Sequence, residues 1–221
     1  VGVVLSTHFG QSALLRFASA MASSEQSRIR IGPMQGSLFG DGSIGDISIA
    51  DRQGVWLKAR NIAFSWKPSA LLTGHLSVPY LRVENVAILR QPEADPEQPK
   101  SADSSGFVLP VKVAIGDLAV STIDLSQEVF GERAQLRLNA RANLNSLSEA
   151  STAELVLARI DGHQATLRTN LVYQPAARSL ELAIDGSEAE GGIVSRLLEL
   201  PDRPALAVQL KGHGRLDAWK A

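Results

Sequence analysis

Apolar and polar residues alternate with a period of two along most of this chain. The cleanest run is 134–144, where Leu136, Leu138, Ala140, Ala142 and Leu144 share one parity and Gln135, Arg137, Asn139, Arg141 and Asn143 the other. Successive strand side chains point to opposite faces, so this run predicts a strand with one wet face and one apolar face. Near-alternation also places Val113, Ile115, Leu118, Val120, Ile123 and Leu125 together, and Ile29 and Ile31 between Arg28, Arg30 and Gly32. Residues 54–66 read as a strand or a bent pair. Val55, Leu57 and Ala59 share a parity up to a register change at Asn61, after which Ile62, Phe64 and Trp66 take over. Lys67-Pro68 ends that element, because proline cannot donate to a ladder. Residues 69–74 form a turn or a single helical turn. Residues 76–90 read as another strand pair, with Leu81, Val83, Val86 and Ile88 inward.

The remaining punctuation follows from turn chemistry. The glycine-rich stretch 32–51 suits tight turns and bulges between short strands carrying Ile44, Ile47 and Ile49. Asp161-Gly162 joins two alternating runs as a hairpin. Residues 174–178 link into SLELAID, and 205–216 close with a further strand. Two segments carry helical spacing: 11–22, through Leu14, Leu15, Ala18 and Met21, and 191–200, ended by Pro201. Residues 91–106 hold three prolines, four acids and no large apolar side chain, and read as a solvated loop dividing the chain. About a dozen short strands imply a mostly β protein built as an antiparallel meander. A two-layer sandwich and a single curved sheet share this alternation, and periodicity does not separate them.

Composition narrows the chemistry. Hydrophobic residues make up 44% and charged residues 20% of the 221, which are globular values. Lys+Arg (22) and Asp+Glu (23) nearly cancel, which argues against a nucleic-acid partner. With no cysteine, disulfides, thiol nucleophiles and Cys-ligated metal are excluded. No run reaches the roughly 20 apolar residues that span a bilayer. Beginning at Val1 rather than Met, the chain reads as a piece of a longer protein. Residues 1–5 (VGVVL) are either the stub of a membrane anchor or an ordinary buried segment.

Gly40–Gly45 spells GxGxxG, but a strand-like run follows where a dinucleotide site needs a helix, so it reads as turn. The four histidines are scattered, with no HExxH and no ligand spacing, and no nucleophile or phosphate-binding motif occurs. Glu188 and Glu190 read as exposed helix-start residues suited to the helix dipole. Trp56, Trp66 and Trp219 read as core packing rather than a membrane belt. No enzyme, cofactor or metal site is expected.

The run from Met34 to Arg52 (MQGSLFGDGSIGDISIADR), followed by a strand, W-x-P-x-x-L-L-x-G at 66–74 and another strand, resembles the N-terminal periplasmic region of the TamB family, within the wider AsmA-like group of bridge-like lipid-transfer proteins. LPVKVAIGDLAVSTIDL, ARIDG, the Gly191-Gly192 pair with RLLELP, and GHGRLDAW match in order, so the resemblance covers almost the whole chain. The family's N-terminal membrane helix is reduced here to VGVVL, and the acidic loop at 91–106 has no counterpart in the pattern.

The resemblance implies a curled antiparallel sheet, a U-shaped trough (a "β-taco") with an apolar interior and short helices near the N-terminus and in the C-terminal half. Residues 1–22 would be the end of the anchor and a short helix, 23–90 the first part of the trough, 91–106 a loop, and 107–221 its continuation. The implied groove lining is Leu57, Ile62, Phe64, Leu81, Val83, Val113, Ile115, Val120, Leu136, Leu138, Leu155, Leu157, Leu167, Leu171, Leu182, Ile184, Leu206 and Val208. The implied cargo is phospholipid. The implied setting is the periplasm, with an inner-membrane anchor and a TamA-like outer-membrane partner reached by a further C-terminal part. Such a trough would carry phospholipid between the inner and outer membranes. The alternatives are a scaffold for assembling outer-membrane β-barrel proteins and a closed structural sandwich.

Overall fold

A computed structural model describes residues 28–37, 39–93, 112–144 and 150–215. They form one open sheet of eleven strands. These are β1 (Arg28–Ile31), β2 (Met34–Gly36), β3 (Asp41–Asp51), β4 (Gly54–Lys67), β5 (His75–Ile88), β6 (Lys112–Leu125), β7 (Ala134–Leu144), β8 (Ser151–Arg159), β9 (Ala165–Gln174), β10 (Ser179–Glu188) and β11 (Leu206–Arg215). From β3 to β11 the strands lie side by side in chain order, and β1 and β2 both pair with β3. A 3-10 turn (Pro68–Thr73) joins β4 to β5. Two short helices follow, α1 (Gln127–Phe130) between β6 and β7 and α2 (Ile193–Leu197) between β10 and β11. The expected helix at 11–22, most of the 91–106 loop and Trp219 lie outside the described residues.

The mostly β architecture agrees with the alternation, and a single layer replaces the closed sandwich. Every junction from β3 onward is antiparallel except one: β5 and β6 run parallel, from His75↔Lys112 to Ile88↔Leu125. A strand that re-enters beside its predecessor in the same direction needs a connection as long as the strand itself. The segment around 91–106 supplies that length, so it is a crossover within one sheet.

Residues 54–67 and 75–88 are single 14-residue strands, not pairs. The apolar parity changes within them because an extra residue is inserted at one level in three strands, at Gly45 in β3, Asn61 (φ 51°) in β4 and Glu84 in β5, and an Asn61 side-chain N–H donates to the Glu84 carboxylate. The insertion continues into β6, where two residues oppose one of the straight β7 between Val120 and Ile123, and again between Ile115 and Leu118. Such bulges bend a sheet and increase its twist. At the second bulge Gly116 lies against Pro79, and a Cβ there would sit 2.5 Å from the Pro79 carbonyl oxygen. The hairpin at Asp161-Gly162 forms as read, with Gly162 at φ 97°.

The fully buried core is small. Ile62 (6% exposed), Val83 (9%) and Val120 (7%) form its centre, on adjacent strands β4–β6. A second buried group, Leu125, Val129 and Ala134, lies where α1 turns back into β7.

Candidate functional site

Directly paired residues of neighbouring strands project to the same face. The pairing therefore traces rows across the sheet. One row crosses nine strands: Ile44, Ile62, Val83, Val120, Leu138, Leu157, Leu167, Gly186 and Val208. No polar side chain interrupts it. At roughly 4.8 Å per strand it runs about 38 Å across the sheet. A parallel row on the same face joins Phe64, Leu81, Leu118, Ala140, Leu155, Thr169, Ile184 and Leu210. A third joins Ile115, Ala142, Ala153, Leu171 and Leu182.

The other positions read from the sequence fall on this face as well. Leu136 is paired with Ile123, Val113 with Leu144 and Leu76, Leu57 with Ile88, and Leu206 with Glu188. All eighteen thus share one face of one sheet. The opposite face carries Arg60, Asn85, Asn139, Arg141, Glu154, Arg168 and Asp185, with Val156 and Val172 between them.

Most of the apolar face is only half-buried, and at the far end Leu167 and Val208 stay exposed, Val208 at 58%. A closed core would bury such side chains below a tenth of their area. Monomers rarely leave a contiguous apolar surface this extensive uncovered. The face is hollowed over β7–β11. There a cavity of about 520 Å³ is lined by inward residues of β7–β11, among them Leu136, Leu157, Leu167, Ile184 and Val208, and by Val194 and Leu198 at α2.

Two charged side chains lie on this face, and the sequence reading missed both. Arg159 keeps the parity of Leu155 and Leu157, and Glu188 that of Leu182 and Ile184, so alternation alone would have put them inward. Each is neutralised locally. The Arg159 guanidinium, its side chain 2% exposed, donates through Nε to Asp161 (2.8 Å) and through Nη1 to Glu132 (2.9 Å). Burial pulls the Arg159 pKa down, and the two carboxylates outweigh it and leave it raised. Burial likewise pushes the Asp161 carboxyl up, but hydrogen bonds from Arg159 and from the His163 and Gln135 amides hold it below its ordinary value.

Glu188 is buried rather than exposed, and accepts hydrogen bonds from the Val194 N–H (3.0 Å to each oxygen) and the Ser195 N–H (3.1 Å). It does sit at a helix start, as expected, but beneath the helix; Glu190 is the exposed member of the pair. Elsewhere, Asp51 at the β3–β4 turn is held well below the usual carboxylate range, chiefly by the Arg90 guanidinium.

The GxGxxG stretch is turn only at its start, and from Asp41 it runs as β3. Gly42 is crowded by the Phe64 ring, which a Cβ would meet at 2.7 Å. Trp56 and Trp66 are half-buried, so neither belongs to the buried core. Among the described residues no group of three or more His, Asp or Glu is placed to hold a metal, and no helix is long and apolar enough to cross a membrane. What the site offers chemically is a broad apolar surface whose two charges are neutralised locally.

A family model described as TamB, N-terminal domain, matches residues 1–170. No curated protein and no solved structure matches the chain.

Proposed function

The chain belongs to the TamB family through its N-terminal domain, and on that premise we propose that its apolar face holds phospholipid acyl chains as they cross the periplasm between the inner and outer membranes. The family is bacterial and anchored in the inner membrane, with a role in the translocation and assembly module. The observation that carries the finer reading is the nine-strand row from Ile44 to Val208. A hydrocarbon tail exposed to water costs about 0.8 kcal/mol per CH₂, and a continuous apolar surface removes that cost at every step across the strands. Aliphatic side chains suit the task because they carry no hydrogen-bonding group that would bind a headgroup or demand a partner. The headgroups stay in water at the open side. A membrane anchor preceding Arg28 would deliver lipid to the β1 end. A TamA-like outer-membrane partner would lie beyond β11.

Photo-cross-linking tests this. A photoreactive residue at Leu157 should form phospholipid adducts in cells, and one at the neighbouring Val156, on the opposite face, should not. Equal adducts at both, or none at Leu157, would sink the reading.

The outer edge of β11 supports a second role. Among the described residues β11 is the last strand of the sheet, with β10 as its neighbour, and a client or partner strand could add along its outer side by β-augmentation. In that case a proline on β11 disables the protein while a charge on the apolar face leaves it working.

A further inference from the structure

The β10–β11 connection, residues 189–205, folds α2 across one end of the apolar face. Its shape is over-determined. The Glu188 carboxylate holds the Val194 and Ser195 amides. The Ser195 hydroxyl, fully buried, donates to the Gly192 carbonyl (3.0 Å), and the Gly191 amide donates to the Arg203 carbonyl (2.9 Å). Gly192 presses so closely on Glu188 that a Cβ would overlap its carboxyl group. Positive φ angles at Gly191, Glu199, Asp202 and Arg203 fix the path. A connection this constrained is a built wall, and the cavity of about 520 Å³ lies between it and the sheet.

Two features define what fits. First, the two charged groups bordering the cavity are satisfied from within: Arg159 by Asp161 and Glu132, and Glu188 by backbone amides. Neither charge is left over to recognise a charged headgroup. Second, Gly186 leaves a gap in the apolar row between Leu167 and Val208. Neither backbone nor crowding requires glycine there. Its φ is not positive, and a Cβ would meet Leu167 Cδ1 at 3.5 Å and the Thr166 carbonyl at 3.8 Å, both ordinary contacts. Glycine inside a strand is destabilising and marks a place where something approaches closely.

Resting on the reading of the face as a carrier of acyl chains, we infer that this compartment binds a single hydrocarbon tail, with its headgroup left outside, and that its depth limits tail length. At the ~30 Å³ that a liquid-packed water occupies, the cavity has room for roughly 17 carbon-sized units, one membrane-length tail and not two. Tail affinity should rise about fourfold per methylene until the compartment is full, and then level off.

The test measures binding of saturated fatty acids of 8 to 20 carbons to the delipidated full chain, below their micellar concentrations. The wild type should plateau near 16–18 carbons. Gly186→Leu, whose side chain adds four heavy atoms, should plateau about four carbons earlier, and Leu198→Trp should shorten the plateau from the α2 side. Circular dichroism reports whether each variant is folded.

Because the chain has no cysteine, a nitroxide on Leu198→Cys gives an independent readout that leaves the cavity's sheet side intact. It should quench a pyrene-tailed hexadecanoate, whereas a nitroxide on Gln209→Cys, on the opposite face of β11, should not. Unchanged plateaus in the folded variants, or equal quenching from both labels, overturn the compartment while leaving the conduit standing. A wild-type chain that binds no tail of any length removes both.

Discussion

Leu138→Asp separates the apolar face from the sheet that carries it. Leu138 sits near the middle of the nine-strand row, paired with Val120 on one side and Leu157 on the other. It is half-buried, so losing its apolar contacts costs about 1 kcal/mol, half the value of a fully buried leucine. A poor strand former adds up to about 1 kcal/mol. The fold should survive. The effect on lipid should be larger. An aspartate is too short to reach water from mid-face, and a charge facing hydrocarbon costs about 3 kcal/mol. At 1.4 kcal/mol per tenfold, lipid occupancy should fall roughly 150-fold. Asn139→Asp, one residue along on the polar face, introduces the same charge and the same strand propensity. The assay is phospholipid bound per chain, alongside circular dichroism for folding. If folded Leu138→Asp carries a wild-type load, or Asn139→Asp loses as much, the face does not hold lipid.

Three further outcomes follow from the packing. Arg159→Ala strips the partner from Asp161 and Glu132 at a nearly buried site and should cost about 3 kcal/mol in denaturant unfolding. Arg159→Met, which keeps the apolar contacts, should cost less. Gly116→Val drives a side chain into the Pro79 carbonyl across the parallel β5–β6 junction and should cost about 1–3 kcal/mol; a melting temperature equal to wild type would show that the junction is looser than the geometry indicates. The Asp161 carboxyl lies below its ordinary value near 4 in the folded state. The stability it contributes is therefore complete above about pH 5 and is lost as pH falls through the folded value. Thermal unfolding from pH 6 to 3 should show an acid-side decline that is shallower in Asp161→Asn.

Much of this site was legible because a one-sided sheet writes its faces directly into residue parity. The run 134–144 read correctly residue by residue, since β7 has no bulge and its parity never slips. Asn61 was also visible as a change of parity. At 76–90 the same signal misled: a parity change looks alike whether the chain turns back or inserts one residue and continues. It was the matched insertion from β3 to β6, which involves four strands, that kept the apolar face continuous. The parallel β5–β6 junction was hidden because a flexible loop and a crossover have the same composition and differ only in the span they must bridge. Arg159 and Glu188 were passed over because charge was equated with the wet face. The nearby Asp161 and the glycine pair before α2 were the available signs that those charges had internal partners.

The central claim is that the apolar face is occupied by lipid, and mass spectrometry of organic extracts from the purified chain, against a mock purification, tests it most directly. Phospholipid near or above one molecule per chain, absent from the mock, is the predicted result. A folded, monodisperse chain that yields none would contradict the account.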